Sequence, residues 1–297
     1  MRVSTFRTSV NIKFDIGNSE FIHSYLPTPS HAEALINISK SLVDSKRNAA
    51  HIMIGPYGSG KSLVAALLAG LASKKLNDHV QQELLQKFDK VHQDVYQELE
   101  QVINQPNVYC PVTLSGYEGE FAGALLSKIQ EVLNEKGISY QPVGVLKNIH
   151  DTVQLWQVEY AHTYEQFLAE LSTRDLSYEE WGSLLQERSD QEVEWFKEVY
   201  SRLTAGATFS SNLKVDFVEQ LTALLKLLDE NNIGLFIIHD EFGRFLQNLE
   251  ESEIYKAMQD IQDLGEVANR SNGLLQVLLI SHKNMSQYMR GFQEEYR

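Results

Sequence analysis

The stretch Gly55-Pro56-Tyr57-Gly58-Ser59-Gly60-Lys61-Ser62 has the residue types and spacing to hold a polyphosphate. It fits G-x-x-x-x-G-K-[ST], in which glycines let the backbone wind around anionic oxygens and successive N–H groups point inward. The N-terminus of a following helix adds its own donors. The candidate cradle therefore runs from Gly55 through Leu63, with Lys61 reaching toward the terminal phosphates and Ser62 offering a hydroxyl to Mg2+.

A second constellation lies far downstream. Four successive apolar residues, Leu235 to Ile238 in the run Ile233-Gly234-Leu235-Phe236-Ile237-Ile238-His239, lead through His239 into Asp240-Glu241. A strand buried on both faces must be apolar throughout, and its C-terminal end faces the ligand crevice of an open parallel sheet. Asp240 is the expected Mg2+ partner, directly or through water, and Glu241 the carboxylate that orients and deprotonates an attacking water. Phosphate transfer to a small acceptor does not need such a carboxylate, so Glu241 points to hydrolysis. Leu274 to Ile280 is another all-apolar strand, ended by Ser281-His282. In ATPases with an extra strand between two such motifs the end of that strand supplies a polar sensor of the terminal phosphate, so resemblance to them makes Ser281 the first candidate and His282 the second, while either can instead be a helix cap. Arg244 is a candidate for the cation that stabilises transition-state charge, with surface packing as its alternative.

The elements that must position these residues are legible in outline. Ala49 to Ile54 reads as a buried strand and Leu63 to Leu71 as a buried helix, which is the strand–loop–helix setting the first motif demands. Before them, residues 1–29 form an N-terminal arm, in which Val10 to Ile16 alternates weakly as an edge strand or a laid-on arm would. Pro27-Thr28-Pro29-Ser30 marks a turn, with Ser30 able to cap a helix carrying Ala34, Leu35, Ile38 and Leu42. Residues 30–136 make the first part of a core. They include one long helix over about 79–104, on which Val80, Leu84, Phe88, Val91, Val95, Leu99 and Val102 form a stripe closed by Pro106. Asn107 to Leu114 is the best second parallel strand, and Ser115-Gly116-Tyr117-Glu118 offers a capping box for a helix that Gly137 ends. Residues 137–213 read as a helical insertion: one helix from about Asp151 to Leu171, then a second from the capping box Ser177-Tyr178-Glu179-Glu180 with a restart at Ser189. Residues 214–297 return to the core, with Leu221, Leu224, Leu225 and Leu228 on one helix, a turn at Asn231-Asn232, a loop containing Phe242 to Phe245 and a helix to about Asn269.

Composition narrows the function classes. With 43% hydrophobic and 22% charged residues the 297-residue chain is that of a soluble globular protein, and no apolar run is long enough for a membrane span or a secretory signal. A cytoplasmic location is expected. Cys110 is the single cysteine, so neither an intrachain disulfide nor a thiolate cluster can form. A net charge of −14 argues against this segment coating nucleic acid by itself. Histidines show no metal-ligand spacing, and the carboxylates of the insertion read as a solvated face. Leu114-Ser115-Gly116 begins like the signature of transporter ATPases, but it lies more than a hundred residues before Asp240 and lacks the rest of that signature.

Together the two motifs, Walker A at Gly55–Ser62 and Walker B at Asp240-Glu241, resemble the additional-strand, catalytic-glutamate branch of P-loop ATPases, which includes AAA+ and STAND-type proteins. The resemblance covers about residues 30–76, 107–136 and 214–290. Gly-Pro-Tyr-Gly-Ser-Gly-Lys-Ser with His-Asp-Glu-Phe-Gly-Arg-Phe-Leu and Ser-His-Lys is also similar to the N-terminal ATPase part of large bacterial anti-phage defence proteins. It implies an α/β, three-layer P-loop NTPase core with a mostly parallel sheet, ATP and Mg2+ as cofactors, and a module that powers or switches a larger assembly through protein partners or self-association. The helix before the Walker A strand is expected beside the base. The chain stops soon after the sensor strand, so a fifth strand and lid are expected from elsewhere, and nucleic acid could be engaged only by such further regions. A nucleotide-gated interaction switch with little turnover and a DNA-acting motor remain the alternatives; the lack of N-K-x-D disfavours GTP.

Overall fold

Parallel strands cannot be joined by tight hairpins, so each must be followed by a crossover, usually helical. The chain obeys this rule throughout. The structure is a computed structural model that describes residues 10–89, 91–116, 120–140, 144–187, 189–207, 209 and 216–284. In order it runs α1 (Ile12–Asp15), α2 (Ser19–Ser24), α3 (Pro29–Val43), β1 (Ala50–Ile54), α4 (Lys61–Ala72), α5 (Asp78–Asp89), α6 (Gln93–Asn104), β2 (Tyr109–Ser115) and α7 (Phe121–Glu135). Then follow α8 (Val145–Glu159), α9 (Ala161–Ser172), α10 (Tyr178–Glu187), α11 (Ser189–Leu203), α12 (Phe217–Glu230), β3 (Gly234–Asp240), α13 (Phe242–Gln247), α14 (Glu251–Arg270) and β4 (Leu275–Ser281). The protein is mixed α/β, and its described residues form a four-stranded, all-parallel sheet in the order β1-β4-β3-β2.

The chain divides into two compact units, Met1–Val132 with Leu225–Arg297, and Leu133–Leu224. In the first, β3 and β4 are central and buried, as their apolar runs require. Phe236, Ile238, Leu278 and Ile280 join the core built by α3, α4, α5 and α6 on one face. On the other face α14 comes close enough that a Cβ on Gly265 would lie 3.6 Å from Ala50. Among the described residues β1 pairs only with β4, and its Ile52 and Ile54 are each 48% exposed.

The second unit has an aromatic core in which Trp156, Phe167, Trp181 and Phe196 pack edge-on or stacked at 5.2–5.9 Å. The buried Glu192 accepts two hydrogen bonds from Arg174 at 2.7 and 2.8 Å and one from the Trp181 indole at 3.1 Å. The expected capping box is present, with Glu180 N–H bonded to Ser177 Oγ at 3.2 Å and Ser177 N–H to Glu180 at 2.8 Å.

Several expectations are corrected. The long helix over about 79–104 is two helices, α5 and α6, packed on each other. The chain turns at Val91, which is 58% exposed, and His92 donates its N–H to Phe88 O at 2.8 Å. The step from Phe88 through Val91 to Val95 keeps the helical rhythm across the turn, so periodicity alone cannot see it. Residues 12–24 form two short helices rather than an edge strand, each started by an asparagine: Asn11 and Asn18 side chains accept from Lys13 and Glu20 N–H at 3.1 Å. The cap of α3 is Thr28, with Pro29 in the first helical position and Ser30 already inside. The helix expected from Asp151 to Leu171 breaks at Tyr160 into α8 and α9, and Phe242 to Phe245 belongs to α13 rather than a loop. Glu118 of the capping box at Ser115 lies outside the described residues, as does most of the exit loop near 206–212.

A buried polar line ties α3 to the sheet. Ser41 Oγ lies 2.9 Å from His51 Nε2 and donates to Gln276 Oε1 at 3.1 Å, while Gln276 donates to Ser41 O at 2.8 Å. Burial pulls His51 below the usual histidine value, partly opposed by a hydrogen bond with the Asn48 backbone. Below about pH 6.5 the unfolded chain therefore takes up a proton that the folded chain refuses, and stability falls as pH is lowered. Urea midpoints measured from about pH 7 down to pH 5 should decline, and His51→Gln should make that decline shallower.

Candidate nucleotide site at the carboxyl edge of the sheet

The loop after β1 starts from a strand end held by the sheet, since Gly55 N–H donates to Ser281 O of β4 at 3.2 Å. It then winds with Gly58 at φ 74° and Gly60 at φ 79°, left-handed values that favour glycine. Ser59 Oγ donates to Pro56 O at 2.9 Å and closes the turn. Helix α4 begins at Lys61, leaving first-turn N–H groups without helical acceptors.

Lys61 is only 7% exposed and is folded back into its own loop. Its ammonium donates to Gly55 O at 2.7 Å and Pro56 O at 2.8 Å, and approaches Ser59 Oγ and His282 Nδ1 at 3.4 Å each. Burial lowers its pKa, with Asp240 opposing. Burial, then the Lys61 charge, also push His282 below the usual histidine value, against the pull of Glu241 and Asp240. A neutral His282 can accept from Lys61. Its ring also stacks on Tyr57, with centroids 3.4 Å apart and planes at 27°.

The acidic pair ends β3. Asp240 Oδ1 accepts the Glu241 N–H at 2.8 Å, and Glu241 takes a left-handed φ of 53° before α13. This turn is anchored from below: Phe242 and Phe245 are buried and surround His239, whose pKa burial pushes down to about 4. Glu241 Oε2 accepts from Arg244 at 3.0 Å, and Arg244 is 62% exposed.

One cleft of about 1120 Å3 gathers Tyr57 through Leu63, Asp240, Glu241 and His282. Gly55 and Pro56 stand behind it as acceptors for Lys61. Of the two sensor candidates, His282 lines the cleft, while Ser281 is fully buried and its hydroxyl donates to Lys283 O at 2.8 Å. Arg244 is not in the lining. Ser62 and Asp240 open onto the same cleft, and a hydroxyl with a carboxylate suits Mg2+, which takes few protein oxygens and keeps waters or phosphate oxygens. Among the described residues no group of three His, Cys, Asp or Glu could hold a metal without such help.

Sequence reasoning missed part of the wall. Val10 to Lys13 line one side, and Thr113, Ser115, Ser127 and Lys128 the side toward β2. Lys128, paired with Glu131, adds a second shielded ammonium. His31 was also missed: it lies behind the loop, its Nε2 2.8 Å from Ser59 O. Its position four residues before Leu35 continues the inward stripe of α3, which is the signal that could have found it.

No protein-family model matches the chain, and no curated protein or solved structure is significantly similar to it. Among the described residues no helix is long and apolar enough to cross a membrane.

A Cβ on Gly60 would stand 2.6 Å from His31 Nε2, whereas one on Gly58 would meet nothing within 4 Å. Gly58→Ala should therefore cost only the left-handed backbone penalty, about 1–2 kcal/mol. Gly60→Ala should cost more, by about 1–3 kcal/mol of added overlap, read from denaturation midpoints of the two variants.

Proposed function

We propose that the chain is a Mg2+-dependent ATPase module of the P-loop, additional-strand, catalytic-glutamate class. The observation that carries this reading is the convergence of the Gly55–Ser62 loop and the Asp240-Glu241 pair on one cleft. The sheet order supports it as well, because β4 stands between the strand that carries the loop and the strand that carries the acids.

In this reading the loop N–H groups and the first turn of α4 receive the phosphates, and Lys61 swings from the Gly55 and Pro56 carbonyls to meet their charge. Mg2+, held by Ser62 and Asp240, would supply charge neutralisation for the phosphate oxygens. Glu241, freed from Arg244, orients a water and takes its proton. His282 is already in hydrogen-bond reach of Lys61 at the end of β4, so the sensor role goes to it rather than to Ser281.

The module would power or switch a larger assembly, through protein partners or copies of itself, in the cytoplasm. The likeness of the two motifs to anti-phage defence ATPases suggests the kind of assembly. A second reading, a nucleotide-gated switch with little turnover, draws on one observation: Glu241 is tied to Arg244 and Lys61 to its own loop, a resting arrangement. Turnover separates the two.

ATP hydrolysis by the purified protein should fall about 100-fold or more in Glu241→Gln, as expected for loss of a general base, with ATP still bound. Lys61→Ala should lose binding as well. Equal turnover in both variants and the parent protein would refute the mechanism, and tight ATP retention without turnover in the parent would favour the switch.

A further inference from the structure

Three groups from distant parts of the chain form a line that ends on the loop. Tyr25, buried between α2 and α3, sets its hydroxyl 3.1 Å from His31 Nδ1, and His31 Nε2 lies 2.8 Å from Ser59 O. A carbonyl can only accept, so Nε2 carries a proton, and in the neutral ring Nδ1 is then the acceptor for the Tyr25 hydroxyl. Burial raises the Tyr25 pKa, which keeps that hydroxyl protonated. The two rings are stacked, with centroids 5.7 Å apart and planes at 19°. Tyr25 is itself fastened: Lys87 of α5 donates to its carbonyl at 3.2 Å and to His23 O at 2.9 Å, and its ring packs on Phe88.

The end of this line matters because of peptide geometry. A trans peptide is planar, and its C=O and N–H point to opposite sides. His31 holds the Ser59 carbonyl from behind the loop, since it is absent from the cleft lining while Ser59 and Gly60 are part of it. The N–H of Gly60 must then point the other way, into the cleft. Gly60 is the residue that permits this, because its φ of 79° and the 2.6 Å gap to His31 leave no place for a Cβ.

We infer that His31 is a positioning residue for phosphate binding: it locks the Ser59–Gly60 peptide so that the Gly60 N–H faces the polyphosphate of a bound nucleotide, with Tyr25 setting its tautomer. The inference rests on the nucleotide reading above and adds to it the residue that pre-orients one donor of the cradle. Without His31 the peptide is free to rotate, and the donor must be reoriented at the moment of binding. The loss falls on affinity, since Lys61, Asp240 and Glu241 are untouched.

The test compares His31→Ala, His31→Gln and Tyr25→Phe in Mg2+-ATP affinity by calorimetry, in kcat and KM, and in thermal midpoint without nucleotide. His31→Ala should raise Kd and KM about tenfold, the loss of roughly one oriented hydrogen bond, and leave kcat nearly unchanged. His31→Gln, whose amide can still donate to Ser59 O, should recover most of the affinity, and Tyr25→Phe should fall between. A purely structural role predicts instead a lower thermal midpoint in all three and no rescue by glutamine. Unchanged Kd in His31→Ala overturns the inference alone; if that variant does not fold, unchanged Kd in Tyr25→Phe overturns it. Absence of ATP binding by the parent protein overturns the nucleotide reading and this inference with it.

Discussion

Parallel pairing is the constraint from which the site follows. When four strands run the same way, all their carboxyl ends lie along one edge of the sheet, and whatever chemistry the connecting turns carry is gathered there. The loop of β1, the acids of β3, His282 after β4 and Ser115 at the end of β2 share that edge, although Lys61 and Asp240 are far apart in sequence. The registers keep the ends level, with Ile54 opposite Ser281 and Ser115 opposite Asp240. Long insertions between the strands do not disturb this, because a crossover only has to return the chain to the correct end.

What was legible in the sequence follows the same division. The central strands β3 and β4 were readable because burial on both faces demands uninterrupted apolar runs, and the turn between β1 and α4 because glycines such as Gly58 and Gly60 mark left-handed backbone. The break at Val91 was not readable, since the apolar stripe passes through the turn without losing its rhythm. Thr28, rather than Ser30, starts α3 because Pro29 fits the first helical turn and moves the boundary upstream. In the site, Glu241 and Asp240 announce themselves as strand-end carboxylates, whereas the choice between Ser281 and His282 depends on which side chain the last strand residue turns inward. Pleat alternation decides that, and it needs the register. His31 and Lys128 reach the loop and the cleft from helices whose sequences show only amphipathicity.

The helical unit solves a different problem. Its core rings pack at varied angles around a carboxylate that would be costly to bury alone, and Glu192 is tolerated because Arg174 forks onto both its oxygens and the Trp181 indole adds a donor. Arg174 in turn lies 4.5 Å over the Trp195 ring, so one cation serves an ion pair and an aromatic face together.

Glu241 has the least comfortable backbone in the cleft. A left-handed φ of 53° suits glycine or asparagine and disfavours a longer side chain. Glycine at this position would relax the turn into α13 and make the first unit more stable, while removing the carboxylate. The fold thus holds a small reserve of strain at a cleft position where the less strained residue would carry no carboxylate; under the proposed function, stability and hydrolysis would pull that position in opposite directions.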